Sequence, residues 1–343
     1  MAAVDLTAGA VPLAARRFHI LALSGGGFRG LFTAGILAKL EHHAGARCLE
    51  MFDLIAGTSI GGIIALGLTC GVSAAEIRDA IATRGPGIFD ARLSVFGRRL
   101  PFTSPFRPYL KTKFASRGLG EAIADIVGHG KIEIALEKLA GRVVVVSVNH
   151  SRGRAAILRS YPGLRRQPSG VTVMEAALAT SAAPGYFPPQ ANQQGMLIDG
   201  GVIANAPDLV ALTDAMSDFQ MPLDAIRMLS IGTASSPEVN ESSMQGHGQI
   251  GWIARRRLFQ STMAAQEDLA VLQAGVLLHD SHLRIDSAPA PEDASALGLD
   301  RADERASGIL NELVEQAWRQ AMARHALLLG HFARHRRAAN RPA

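Results

Sequence analysis

Gly57-Thr58-Ser59-Ile60-Gly61 fits the pattern GxSxG, a serine held between glycines. Such a serine becomes a nucleophile in one setting, a tight turn between a buried strand and a helix. The turn forces the serine into a strained conformation with its hydroxyl exposed, and only small neighbours leave room for that. The helix that follows aims its free N–H groups and positive dipole end at the reacting centre. Both flanks meet the condition: Phe52–Ala56 is an apolar run and Ile60–Thr69 an apolar helical one. Ser59 is therefore the candidate nucleophile, with Gly57 and Gly61 as the glycines of its elbow. A glycine-eased turn without chemistry is the plain alternative.

A second glycine cluster, Ser24-Gly25-Gly26-Gly27-Phe28-Arg29-Gly30, also lies between an apolar run (His19–Leu23) and a helical pattern. Gly25, Gly27 and Gly30 satisfy GxGxxG, so a dinucleotide fold has to be weighed. That reading needs an acidic residue about 20 positions on, at the end of the second strand. Here that strand ends in the serine elbow, and Asp53 stands at its start. The other use of such a loop is an oxyanion hole, in which Gly25, Gly26 and Gly27 present backbone N–H groups to a developing negative oxygen. Arg29, with Gly30, reads as an anchor for the loop, and a phosphate contact is its other reading.

The serine needs a base. Met196-Leu197-Ile198-Asp199-Gly200-Gly201 is an apolar strand ending in Asp-Gly-Gly, and sites on parallel sheets form at strand ends. An ordinary turn would explain Asp-Gly-Gly taken alone. A Ser-Asp-His triad of the α/β-hydrolase kind runs in the same chain order, and His247, His279 and His282 all follow Asp199. His247 sits in a polar Gly/Ser/Gln stretch, and the other two flank a helix-to-strand junction.

These residues must be carried by regular elements. Strand, helix, strand, helix over His19–Thr69 predicts βαβ units and a mainly parallel sheet covered on both faces. Further strands are expected at Arg142–Val148, Ala155–Arg159, Met196–Ile198, Arg227–Ile231 and His282–Ile285. Helices are expected at Leu31–His42, Val173–Thr180, Pro207–Met216, Gln260–Leu278 and Ala302–Leu328. Residues 89–117 mix prolines, aromatics and Arg/Lys, and read as a lid or insertion over the sheet. Their aromatics could enter lipid while the cations meet head groups, or they could simply be core. The chain divides into an arm (1–17), a core (18–235) and a C-terminal helical extension (236–343) packed on the same domain.

Composition excludes several classes. With 48% hydrophobic and 19% charged residues among 343, the chain can close a large core and does not read as disordered. A net charge of +5 does not predict DNA or RNA binding, and it suits visits to an anionic surface or an anionic ligand. Arg319 to the C-terminus holds six arginines and no acid, which a helix C-terminus favours. Two cysteines, Cys48 and Cys70, without CxxC or a His/Cys cluster, offer no metal site and suit a reducing cytoplasm. No signal peptide is legible. Leu54–Val72 is apolar over 19 residues, but its glycines break it into strand, turn and helix rather than a membrane span.

Taken together, SGGGFRG, GTSIG, Ala179–Pro189 (ATSAAPGYFPP) and the Asp-Gly-Gly at 199–201 resemble the patatin-like phospholipase family, in the family's order, over residues 18–235. The resemblance implies a three-layer α/β/α fold and a Ser59–Asp199 dyad without histidine. It also implies an oxyanion hole at Gly25–Gly27, an acyl pocket lined by Ala182–Pro189, and no metal or other required cofactor. Many members carry Asp where this chain has Ser24, so the anchoring of the loop is where it departs.

The opening FHILALSGGGFRGLFTAGILAKLE and the continuation RIDSAPAPEDASALGLDRADERASGILNELVEQAW resemble one branch most, the cyclic-nucleotide-activated effectors of bacterial antiphage (CBASS) systems. That branch implies a cyclic dinucleotide activator, such as cyclic GMP-AMP from a partner cyclase, and membrane phospholipid as substrate at the inner face of the cell membrane. Arg107, Lys111, Lys113, Arg152 and Arg154 are candidate phosphate partners, or charged surface. An unregulated esterase or lipase is the simpler alternative, and a homo-oligomer is compatible with either.

Overall fold

The structure, a computed structural model, describes residues 17–88, 93–95, 98–100, 114, 116–163, 170–193, 195–235 and 257–337. In chain order the elements are β1 (Phe18–Leu23), α1 (Gly30–Ala44), α2 (Cys48–Met51), β2 (Leu54–Thr58), α3 (Ile60–Thr69) and α4 (Ala74–Ile88). There follow the hairpin strands β3 (Leu93–Val95) and β4 (Arg98–Leu100), then α5 (Ser116–Val127), β5 (Val143–Asn149), β6 (Arg154–Arg159) and α6 (Val173–Ser181). The chain continues through β7 (Gln190–Asn192), β8 (Gly195–Asp199), α7 (Asp208–Ser217), β9 (Ile226–Ile231), α8 (Arg257–Leu278), β10 (His282–Ile285), α9 (Pro291–Ala294) and α10 (Glu304–Arg334).

Five strands, β10-β9-β1-β2-β5, run parallel, and β6, β7 and β8 join antiparallel. The central strands are buried on both faces, and their alternation divides them between two cores. Leu21, Leu23, Ile55, Val143 and Val145 pack with α1, α3, α4, α5, α6 and α10. Ile20, Ala22, Leu54, Ala56 and Val144 pack with α7 and α8 on the other face. A period-2 strand with apolar residues at every position must be covered twice, which gives the three layers. At 25 cal/mol per Å² of buried apolar surface, such cores dominate the folding energy. α3 is buried from Gly61 to Thr69, the mark of a helix apolar on all sides.

The register around β5 brings the two candidate catalytic residues together. β6 pairs with β5 from Val144 to Asn149, so it fills one whole edge. β2 and β8 must then share the other edge end to end: Thr58 lies opposite Val146 and Asp199 opposite Ser147. Because β2 runs parallel to β5 and β8 antiparallel, their carboxyl ends abut. Ser59, the residue after β2, thereby meets Asp199, the last residue of β8.

The expected helices and strands all occur, with boundaries moved by a few residues. α4 and α5 were not expected. Gly85-Pro86-Gly87 reads as a helix breaker, yet α4 runs through it. Gly85 faces the Phe28 ring, which a Cβ would strike, so packing overrides propensity there. Residues 236–343 are not wholly helical, since β10 extends the sheet beside β9. Of the segment 89–117, most lies outside the described residues, and so does the arm through residue 16. No helix among the described residues is long and apolar enough to cross a membrane.

Candidate active site

Ser59 sits at φ 54°, ψ −125°, a conformation few non-glycine residues adopt, between β2 and α3. Strain of this kind costs about 1–3 kcal/mol and persists where surroundings enforce it. The surroundings are the two elbow glycines: a Cβ on Gly57 would run into the Gly61 carbonyl, and one on Gly61 into the carbonyl of Leu23. The Ser59 N–H donates to Thr180 Oγ1 at 2.9 Å, and Thr180 in turn donates to the Val146 carbonyl at 2.6 Å. Thr180 lies near the end of α6, whose start is fixed by a capping box of Thr172 and Glu175.

The Ser59 hydroxyl donates directly to Asp199 Oδ2 at 2.7 Å, with no imidazole between them. The other carboxylate oxygen, Oδ1, accepts the Gly201 N–H at 2.7 Å. Ser147 supports the strand end by donating to the Ile198 carbonyl at 2.7 Å. Asp199 is 2% exposed, and burial pushes its pKa up to about 6. The two hydrogen bonds, from the Gly201 N–H and the Ser59 hydroxyl, pull the other way and hold it there. A carboxyl poised near neutrality is a much better proton acceptor than one at 3.8.

The glycine loop passes beside this pair, and a Cβ on Gly25 would lie 3.1 Å from that of Ser59. Of the three glycines nominated as oxyanion donors, Gly25 has its N–H committed to the Asn205 carbonyl at 3.0 Å. The N–H groups of Gly26 and Gly27 meet no acceptor among the described residues. Gly27 has φ 58° and lies against the Leu299 carbonyl, so no side chain fits. Arg29 holds the loop to itself, donating from Nε to the Gly26 carbonyl at 3.3 Å. Gly30 opens α1 where a Cβ would strike Ile60. At Ser24, anchoring comes from far along the chain: Arg284 Nη1 donates to Ser24 Oγ at 2.9 Å, while its other end pairs with Glu267 and Asp286.

An apolar pocket, partly open to solvent, begins at Gly26, Gly27, Ser59 and Asp199. Ala183, Tyr186 and Phe187 supply part of its wall, and α3, α4 and α5 supply Ile63, Ile81, Ile88, Leu119, Ala122 and Ile126. An oily chamber opening on a nucleophile suits a fatty-acyl chain. Part of the expected lining stretch thus forms one wall, and α4 and α5, the helices missed in the sequence, join the expected α3 in forming much of the remainder.

Among the described residues no histidine bonds to Ser59 or Asp199. His282 Nε2 pairs with Asp208 at 3.2 Å, His279 is exposed, and His247 lies outside the described residues. Arg152 and Arg154 lie exposed on the β5–β6 turn, and Arg107, Lys111 and Lys113 fall outside the described residues. No cluster suited to a metal ion occurs among the described residues. Thr180 and Asn205 were missed as functional positions. Thr180 lay within the quoted ATSAAPGYFPP, but nothing local marks a threonine that reaches across to another strand's elbow.

Residues 21–212 match the family described as patatin-like phospholipase. The chain is 34% identical over 310 residues to a cGAMP-activated phospholipase of Pseudomonas aeruginosa, covering 89% of each chain. It is 34% identical over 308 residues to one of Vibrio cholerae, covering 83% of this chain and 85% of that one. A third, from Escherichia coli, is 33% identical over 314 residues and covers 84% and 85%. With the family match spanning more than half of its length, this chain belongs to the patatin-like phospholipases.

Proposed function

We propose that this protein is a serine phospholipase, cleaving carboxylic ester bonds of membrane phospholipids through an acyl-enzyme at Ser59, and that a cyclic dinucleotide turns it on. The observation that carries the chemistry is the 2.7 Å bond from Ser59 Oγ to a buried carboxylate whose pKa is near 6, at the mouth of an apolar cavity. Ser59 Oγ attacks the ester carbonyl carbon while its proton passes to Asp199 Oδ2. The carbonyl oxygen becomes an oxyanion that the Gly26 and Gly27 N–H groups and the α3 N-terminus stabilise. Collapse breaks the ester C–O bond, and Asp199 returns the proton to the departing alkoxide of the lysolipid. Water then attacks the acyl-enzyme, Asp199 takes its proton, and the fatty acid leaves with Ser59 restored.

Support for the activator comes from relatives named as cGAMP-activated that match this chain over 83–89% of its length. Reach to the inner membrane face belongs to the same reading, as does a partner cyclase that makes the nucleotide. The test is release of fatty acid from anionic liposomes with and without 3′,3′-cyclic GMP-AMP, comparing wild type with Ser59→Ala. Stimulation by the nucleotide that vanishes in Ser59→Ala is expected. Constitutive hydrolysis indifferent to a panel of cyclic dinucleotides refutes the switch and leaves the hydrolase standing. Unaltered hydrolysis in Ser59→Ala refutes the site.

A further inference from the structure

Asn205 grips the oxyanion loop on both sides of one residue. Its carbonyl accepts the Gly25 N–H at 3.0 Å, and its side-chain Nδ2 donates to the Gly25 carbonyl at 3.2 Å. Thr233 Oγ1, just past β9, donates to the same carbonyl at 3.3 Å. In a trans peptide the C=O and the following N–H point opposite ways. Fixing the Gly25 oxygen therefore fixes the Gly26 N–H at the opposite edge of the same peptide plane, and Gly26 lines the cavity with Ser59.

The amide that does this is itself held. Glu267, buried on α8, accepts from Asn205 Nδ2 at 2.6 Å and from Arg284 Nη2 at 2.5 Å. Gln266 accepts the Asn205 backbone N–H at 2.7 Å. With the carboxylate on that side, a flipped Asn205 amide would set oxygen against oxygen. The cost is visible: Asn205 Oδ1 is buried with no hydrogen-bond partner among the described residues. A buried orphan of this kind is unusual enough to call for a reason, and the reason here is that both amide hydrogens are needed elsewhere. The same short turn also ties down the nucleophile, since Thr58 Oγ1 donates to the Ala204 carbonyl at 2.6 Å.

We infer that Asn205, locked by Glu267, is a positioning residue of the reaction: it aims the Gly26 N–H at the oxyanion, so that one turn, 199–205, sets nucleophile, base and oxyanion loop in register. This rests on the ester-hydrolase reading of Ser59. Asn205→Ala should lower kcat about a hundredfold, the scale of losing one oxyanion donor, with KM within about twofold. Its pH midpoint should stay near 6, because Asp199 is untouched. The double variant Asn205→Asp/Glu267→Gln separates positioning from folding. It exchanges donor and acceptor, so the buried pair still bonds, but no amide remains to hold the Gly25 carbonyl.

The assay is hydrolysis of a soluble ester, with melting temperature measured alongside. Recovered stability with kcat still about a hundredfold down supports the inference. A folded double variant, or a folded Asn205→Ala, with kcat near wild type overturns it. Should neither Asn205 variant fold, Thr233→Val decides: kcat down severalfold at constant KM supports the role, and unchanged kcat overturns it. Wild-type protein inert toward every ester would instead sink the hydrolase reading itself.

Discussion

Replacing Asp199 by Asn should stabilise the protein while it abolishes hydrolysis, and the gain should depend on pH in a defined window. The buried carboxyl ionises at about 6 in the folded chain instead of its ordinary 3.8. Between those values the folded state keeps a proton that the unfolded chain has released, so stability falls as pH rises through the window. At about 1.4 kcal/mol per pKa unit, the full cost above pH 6 is about 3 kcal/mol. The group is almost entirely shielded from water, so solvent screening takes little of that away. Asparagine keeps an acceptor for the Gly201 N–H and carries no charge, so it escapes the cost. Urea denaturation of both proteins from about pH 4 to pH 7.5 measures the difference, with other titrating groups cancelling. Near pH 4 the two should be almost equally stable, and above 6 the variant should lead by about 3 kcal/mol. In wild type, kcat/KM should fall tenfold per pH unit below about 6, because only the ionised carboxylate accepts the serine proton. A stability difference that does not change with pH, or hydrolysis that persists undiminished well below the window, would refute the reasoning.

Three further expectations can be checked directly. Ser59→Gly should remove all ester hydrolysis and raise unfolding free energy by about 1 kcal/mol, since glycine adopts the positive φ without strain; a destabilised variant in a melting curve would contradict the strained elbow. Ala122→Phe, which fills the cavity from α5, should spare short-chain esters and cut turnover of long-chain ones at least tenfold; equal losses on both would mean the acyl chain lies elsewhere. His247→Ala, His279→Ala and His282→Gln should each keep kcat within about threefold of wild type, less than the loss expected for a general base. A collapse in any one would replace the dyad by a triad.

Much of this was legible in the chain itself, because it depends on local pattern. Short apolar runs alternating with helical periodicity give the parallel sheet, and glycines flanking a serine between strand and helix mark the elbow without reference to anything distant. The missed helices show where that stops. Ile77 and Ile81 on α4, and Leu119, Ala122 and Ile126 on α5, do recur at helical spacing. The Gly-Pro-Gly in α4 concealed the first, and only packing against Phe28 overrides it.

The sequence by itself determined that Ser59 stands on a strained turn at the start of a helix, since that follows from neighbours in the chain. Asp199 could be named only through its place in a family pattern. Its carboxylate reaches the serine because β8 enters antiparallel and ends where β2 ends, 140 residues away in the chain, on one edge of β5. The oxyanion loop shows the same limit. Glycines 25–27 announce a loop that can present N–H groups, but the Gly25 N–H is taken by the Asn205 carbonyl, and Arg284 holds the loop's start through the Ser24 hydroxyl, partners that no local spacing connects to it. Backbone conformation is a short-range property of the chain, whereas hydrogen-bond partners and burial, and hence the pKa of Asp199, exist only once distant segments have been packed together.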